Sequence, residues 1–149
     1  MGTLMYKSTK KILVAYFVQL EDDISAEIIC NSYVTDDNGN KLFPEMDDFS
    51  ASLNDRARAY LEVNCASCHR LAGSAANSGL YLEYTNNDSL SLGFHKTPVA
   101  AGGGSGGLTY VIEPGDADQS ILHFRMNSSE VDERMPEIGR ELIHTEGVQ

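Results

Sequence analysis

Apolar positions along this chain come in two patterns. Before residue 50 they form short continuous runs rich in β-branched and aromatic residues, Ile12-Leu13-Val14-Ala15-Tyr16-Phe17-Val18 and then Ile28-Ile29-Cys30 through Tyr33-Val34. Runs of this length and composition predict strands. Asn38-Gly39, set between the second run and Leu42-Phe43, is a hairpin-turn signal. So few strands bury little by themselves, so they pack on the rest of the chain or belong to a larger sheet.

From Ser50 the spacing becomes helical. Ser52-Leu53-Asn54-Asp55 resembles a capping box, and Leu53, Ala57, Tyr60, Leu61 and Cys65 then fall on one face that runs into Cys65. Residues 71–115 read mostly as loop, interrupted by the apolar stretches Leu80 to Tyr84 and Leu108 to Ile112. Pro114-Gly115 closes the second of these, and a helix is expected from Asp116 through Ile121, Leu122 and Phe124 to Met126. A loop-and-turn segment with Arg134-Met135-Pro136-Glu137 follows. The expected fold is mainly α: a small helical domain with long loops over residues 50–149, preceded by a short β-rich segment over 1–49.

Charge narrows the partners. The 22 acidic against 11 basic side chains give a net charge of −11 and argue against nucleic acid or an anionic membrane. An acidic solvated surface accounts for this by itself, and a basic redox partner would also suit it. Lys7, Lys10 and Lys11 precede an apolar run of the length of a signal-peptide core, but Gln19-Leu20-Glu21 follows where a small-x-small cleavage site belongs. A buried strand is the better reading of that run, which is too short to span a membrane.

Chemistry concentrates at Cys65-Ala66-Ser67-Cys68-His69, the C-x-x-C-H pattern of covalent c-type haem attachment. Two thiols at this spacing meet the two vinyl groups on one porphyrin edge, while the adjacent imidazole turns beneath the iron. A zinc site wants four ligands, and the remaining cysteine, Cys30, lies far off in the β-rich segment, where a buried apolar role fits it. A redox dithiol sits at a helix start after a strand, whereas here a helical pattern precedes the cysteines. A plain disulfide leaves His69 unexplained.

An electron carrier also needs a sixth iron ligand, often a methionine thioether. Met135 sits in a polar stretch that gives it little other reason to be apolar, whereas Met126, among Ile121, Leu122 and Phe124, reads as a core residue. Met135 is therefore favoured, with Met126 and His95 as alternatives; of the bis-histidine candidates His95, His123 and His144, His95 in the loop Gly93-Phe94-His95-Lys96-Thr97-Pro98 is the one serious rival, and His123 reads as an ordinary solvated residue. Arg56, Arg58, Arg70 and Arg140 are candidates for haem propionates, each more simply read as a surface arginine. The run Gly102 to Gly107 lacks the Lys and Ser/Thr of a phosphate loop, and a flexible or closely packed loop over the haem edge is sufficient explanation.

The stretch Asn54 to Arg70, with the later blocks Ser78 to Tyr84, Lys96 to Gly102, Pro114-Gly115-Asp116 and Arg134 to Arg140, resembles the haem domain of a family of bacterial c-type cytochromes. The resemblance covers about residues 50–149, with the blocks in the same order. It implies an exported, periplasmic or otherwise extracytoplasmic haem domain at the C-terminal end of a longer protein, with one covalent haem c and with His69 and Met135 as axial ligands. It implies a cytochrome c-like helical fold in which the first helix crosses a last one, of which Thr145 to Gln149 resembles only the opening, so that the chain reads as truncated there. Three functions stay in view: a mono-haem electron-transfer domain, which is favoured; a haem enzyme or gas sensor with an open sixth iron position; and a non-haem interaction module with a Cys65-Cys68 disulfide. No acid/base pair or nucleophile beside the motif points to substrate chemistry.

Overall fold

Ser52 starts the first long helix in the way its side chain predicts. In a computed structural model that describes residues 42–137 and 142–148, the backbone strands 4–8 and 11–15, and Asn38, Ser52 Oγ donates to Asp55 Oδ2 at 2.7 Å and accepts from Asp55 N at 3.1 Å. These bonds satisfy an otherwise unpaired N–H of the first turn and open helix α1, Leu53–Asn64. At its other end Asn64 Nδ2 donates to the Tyr60 carbonyl, and Cys65 and Ala66 both donate back to the Leu61 carbonyl, so the attachment motif begins where the helix unwinds. The expected apolar face is buried only toward this end: Leu53 is 73% exposed and Ala57 is exposed, whereas Ala59 is buried and Leu61 and Cys65 reach the core.

The described residues are mostly helix and loop. After α1 come α2 (Ser89–Leu92), α3 (Ile121–Asn127) and α4 (Thr145–Val148), with short 3-10 turns at Ala76–Ser78 and Gly102–Ser105. Strands β1 (Leu4–Ser8) and β2 (Lys11–Ala15) pair antiparallel, Leu4 opposite Ala15 and Ser8 opposite Lys11. The anticipated strand over 12–18 therefore shares its first half with β2. The apolar run at 28–34 lies outside the described residues, as do Gly39, Cys30 and Arg140. Leu42 and Phe43 form a bend rather than a strand. The chain forms two compact units, Met1–Ala59 and Tyr60–Gln149. Among the described residues no helix is long and apolar enough to cross a membrane.

The second unit has a small core of Ala66, Leu80, Leu82 and Val111, against which Leu61, Cys65, Ile112 and Leu122 pack. Leu80 and Leu82 alternate inward along an extended stretch that finds partners without a sheet: Tyr81 N donates to the Ser91 carbonyl and Leu82 N to the His69 carbonyl. The stretch 110–112 is likewise extended, forming isolated bridges from Ile112 to Phe94 and from Tyr110 to Ser120. Helix α3 begins at Ile121 rather than Asp116. Asp116 Oδ1 instead caps a turn by accepting from Gln119 N, and Ser120 Oγ donates back to the Asp116 carbonyl while accepting from Glu113 N, which keeps the intervening residues out of the helix.

Helix α4 packs against α3 and also meets the end of α1. The His144 ring stacks on Tyr60 with centroids 5.6 Å apart, and its Nδ1 lies 3.1 Å from the Tyr60 hydroxyl. A Cβ on Gly147 would stand 2.6 Å from the same Tyr60 ring, so only glycine permits this approach.

Candidate functional site

The five residues of the attachment motif form one tight turn. Cys68 N and His69 N both donate to the Cys65 carbonyl, at 3.1 and 2.9 Å. The Cys68 carbonyl then accepts from Arg70 N and Ala75 N, at 3.2 and 3.1 Å, which curls residues 70–75 around it. Gly73 lies against that carbonyl so closely that any Cβ would overlap the oxygen.

Cys65 and Cys68 are both free thiols. Cys65 belongs to the core, and burial, with the neighbouring Cys68 charge as a lesser cause, pushes its thiol up to about 12. A redox dithiol has the opposite character, a nucleophilic cysteine with a depressed pKa at an accessible helix start. Among the described residues no three His, Cys, Asp or Glu side chains converge as a metal cage.

The His69 ring is fixed from one side. Its Nδ1 lies 3.4 Å from Ser78 Oγ, which itself donates to the Ala75 carbonyl and accepts from Leu80 N. Holding Nδ1 in this way leaves Nε2 as the nitrogen for ligation. Burial, then the positive charge of Arg125, hold the imidazole pKa below its usual value against smaller opposing effects of the Leu80 backbone and Glu137. The neutral ring favoured by that balance is the form that binds iron.

Arg125 and Glu137 stand on either side of Met135 in the chain, and the charges of both act on the His69 imidazole. Met135 N donates to the Arg125 carbonyl at 2.9 Å, and Arg125 Nε donates to the Glu133 carbonyl at 2.7 Å. The half-buried Met135 is thus tied to the last turn of α3. Met126, also half-buried, lies on α3 itself.

The histidines are engaged elsewhere. His95 is exposed, with Nε2 3.5 Å from Glu113 Oε1 and its ring edge-on to Tyr110. His123 Nδ1 lies 3.9 Å from Asp118 Oδ1, and His144 stacks on Tyr60. Of the arginines named from sequence, Arg56 donates to the Met46 carbonyl at 2.7 Å and lies 4.9 Å over the Phe49 ring, so its guanidinium is occupied within the first unit. Arg125 and Arg134 were not anticipated. The available signal was position: Arg125 is the base in the last turn of α3, and Arg134 directly precedes Met135.

These residues fit a covalently held haem. The donor set is right for one, with two thiols on the spacing of the vinyl groups, an imidazole anchored through Nδ1 and the thioether of Met135, whose backbone is tied to α3. Arg134 Nε, like Arg56 Nε, is buried with no hydrogen-bond partner among the described residues. No protein family, curated protein or solved structure matches the chain.

Proposed function

We propose that this chain carries single electrons between redox proteins as a mono-haem c-type cytochrome with a cytochrome c-like helical fold. Cys65 and Cys68 hold one haem c through thioether bonds, and His69 and Met135 are its axial ligands. When bound, the haem iron supplies a one-electron Fe(III)/Fe(II) couple. The chain's own residues fix its surroundings: Ser78, itself held by Ala75 and Leu80, orients His69, and the Arg125 carbonyl holds the backbone at Met135. The acidic surface suits a basic redox partner, and haem attachment of this kind suits an extracytoplasmic location.

The observation that carries this reading is an intact C-x-x-C-H turn whose His69 ring is held at Nδ1 by Ser78, together with a Met135 segment anchored through the Arg125 carbonyl. A haem enzyme or gas sensor would instead keep the sixth position open. The test is an optical spectrum of the protein produced with cytochrome maturation machinery. Haem that survives acid-acetone extraction is expected, together with a weak far-red methionine-to-iron band that Met135→Ala abolishes and Met126→Ala retains. Complete extraction of haem from the wild type would sink both haem readings. Loss of the band in Met126→Ala alone would move the ligand, and its absence from the wild type would favour the open sixth position.

A further inference from the structure

We propose, resting on the haem reading above, that Arg125 holds a propionate carboxylate of the haem and that the Gly102–Gly107 loop aims its guanidinium. The chain has twice as many acidic as basic side chains, 22 against 11, yet among the described residues none of the ion pairs involves half-buried Arg125. A guanidinium taken partly out of water without an anion is unfavourable, and its planar fork matches a carboxylate. Its Nε is already bonded to the Glu133 carbonyl, which fixes the direction of the head and leaves the terminal nitrogens as the donors for an incoming anion.

The glycine loop explains how the head is held. A Cβ on buried Gly104 would stand 3.2 Å from Arg125 Cζ and 3.3 Å from Nε and Nη2, so the guanidinium lies directly against this backbone. Gly106, in the left-handed region at φ 59°, approaches the ring of Phe124 to 3.0 Å measured from the same kind of built Cβ. Two glycines thus press on consecutive residues of α3, and side chains on either would push the helix or the guanidinium away. Arg125 is also the residue whose carbonyl receives Met135 N, and buried Arg134 Nε supplies a second cationic donor next to Met135 in the chain. A propionate is the anionic part of the haem, and an arginine tied to the Met135 segment is placed to receive it.

The test compares holoprotein of the wild type with Arg125→Gln, Arg125→Lys and Gly104→Ala by spectroelectrochemistry, with covalent haem content and thermal melts recorded alongside. With Arg125 gone the propionate charge is no longer offset and favours ferric iron. At the potential where the wild type is half reduced, the ferrous-to-ferric ratio of Arg125→Gln is expected to fall about tenfold. Arg125→Lys, which keeps the charge, should stay within about threefold, and Gly104→Ala should shift the ratio in the Gln direction by about two- to threefold. Arg125→Gln with its haem attached and a wild-type ratio overturns the assignment, as does Arg125→Lys shifting as far as Arg125→Gln. Should Arg125→Gln fail to fold, a wild-type ratio in Gly104→Ala overturns it instead. A wild type without covalent haem sinks the cytochrome reading and this assignment with it, a failure seen before any variant is compared.

Discussion

The two sides of the candidate site are built on different principles. Residues 65–82, the His69 side, are set by close packing: Cys65, Ala66, Leu80 and Leu82 share the core, and residues 70–75 wrap the Cys68 carbonyl. Residues 121–137, the Met135 side, are set by polar ties from one arginine, whose carbonyl takes Met135 N and whose Nε gives to the Glu133 carbonyl. Packing tolerates little change in volume, whereas a few hydrogen bonds at the end of a flexible side chain can adjust. The His69 side is therefore the rigid half, and the Met135 side is the half in which, on the haem reading proposed above, ligand and potential would be open to change without unfolding the domain.

A pair of glycine substitutions breaks or sharpens that contrast most strongly. Gly73→Ala places a Cβ on the Cys68 carbonyl, a backbone atom that cannot turn aside, and should exceed the about 1–3 kcal/mol of ordinary overpacking and reduce covalent haem yield. Gly104→Ala meets the far end of a flexible side chain, so its destabilisation should stay below about 1 kcal/mol. Urea melts and haem staining of the two variants check the difference. Equal losses would show that both sides are equally rigid and remove the distinction.

Next in size is Leu82→Ala. Leu82 is the most completely buried side chain of the core at 2% exposure, and its N–H is bonded to the His69 carbonyl. Truncation should destabilise by about 3 kcal/mol through lost burial and the cavity left behind, measured by urea unfolding. Because the cavity opens in the core against which Cys65 packs, covalent haem should be retained at room temperature but released from its native ligation at lower urea. A loss under about 1 kcal/mol would mean that the core relaxes around the gap and is not the rigid element.

Much of the rigid half was legible in the chain, and much of the adjustable half was not. The Ser52 and Asp55 box and the apolar stretch at Leu80 to Tyr84 are local features, decided by residues a few positions apart, and the capping bonds and the buried Leu80 and Leu82 show both in the fold. Asp116 misled because its carboxylate caps a turn as readily as a helix, and only the bonds from Ser120 to Glu113 and Asp116 decide between them. The outward face of α1 at Leu53 and Ala57 could not be foreseen from periodicity, which shows that a face is apolar but not how much of it is covered. Arg125 was missed for a similar reason. Its place in the last turn of α3 is a weak local signal, and its surroundings depend on Glu133, Met135 and Gly104, which only the folded chain assembles.

The smallest expected effect concerns pH and separates the two halves by chemistry. Asp88 Oδ2 accepts from Ser91 N at 2.9 Å at the start of α2, and bonds from Ser91 hold its carboxyl below the usual aspartate range. Ser91 in turn receives Tyr81 N on its carbonyl and Asn86 Nδ2 on its hydroxyl, so this cap braces the stretch that carries Leu82. A carboxyl whose folded pKa is depressed stabilises the fold above its unfolded value, about 3.9, and loses that contribution as pH falls through the folded value. The bonds from Arg125 to Glu133 and from Met135 to Arg125 join arginine and amide donors to carbonyls and have no carboxylate to protonate. Wild type should therefore exceed Asp88→Asn in stability at pH 5, with the gap closing as the pH falls below about 4. Melts of both proteins across that range decide it: a gap that persists at pH 3 would show that Asp88 acts through its shape and not its charge, and that the His69 side has no acid-sensitive brace at α2.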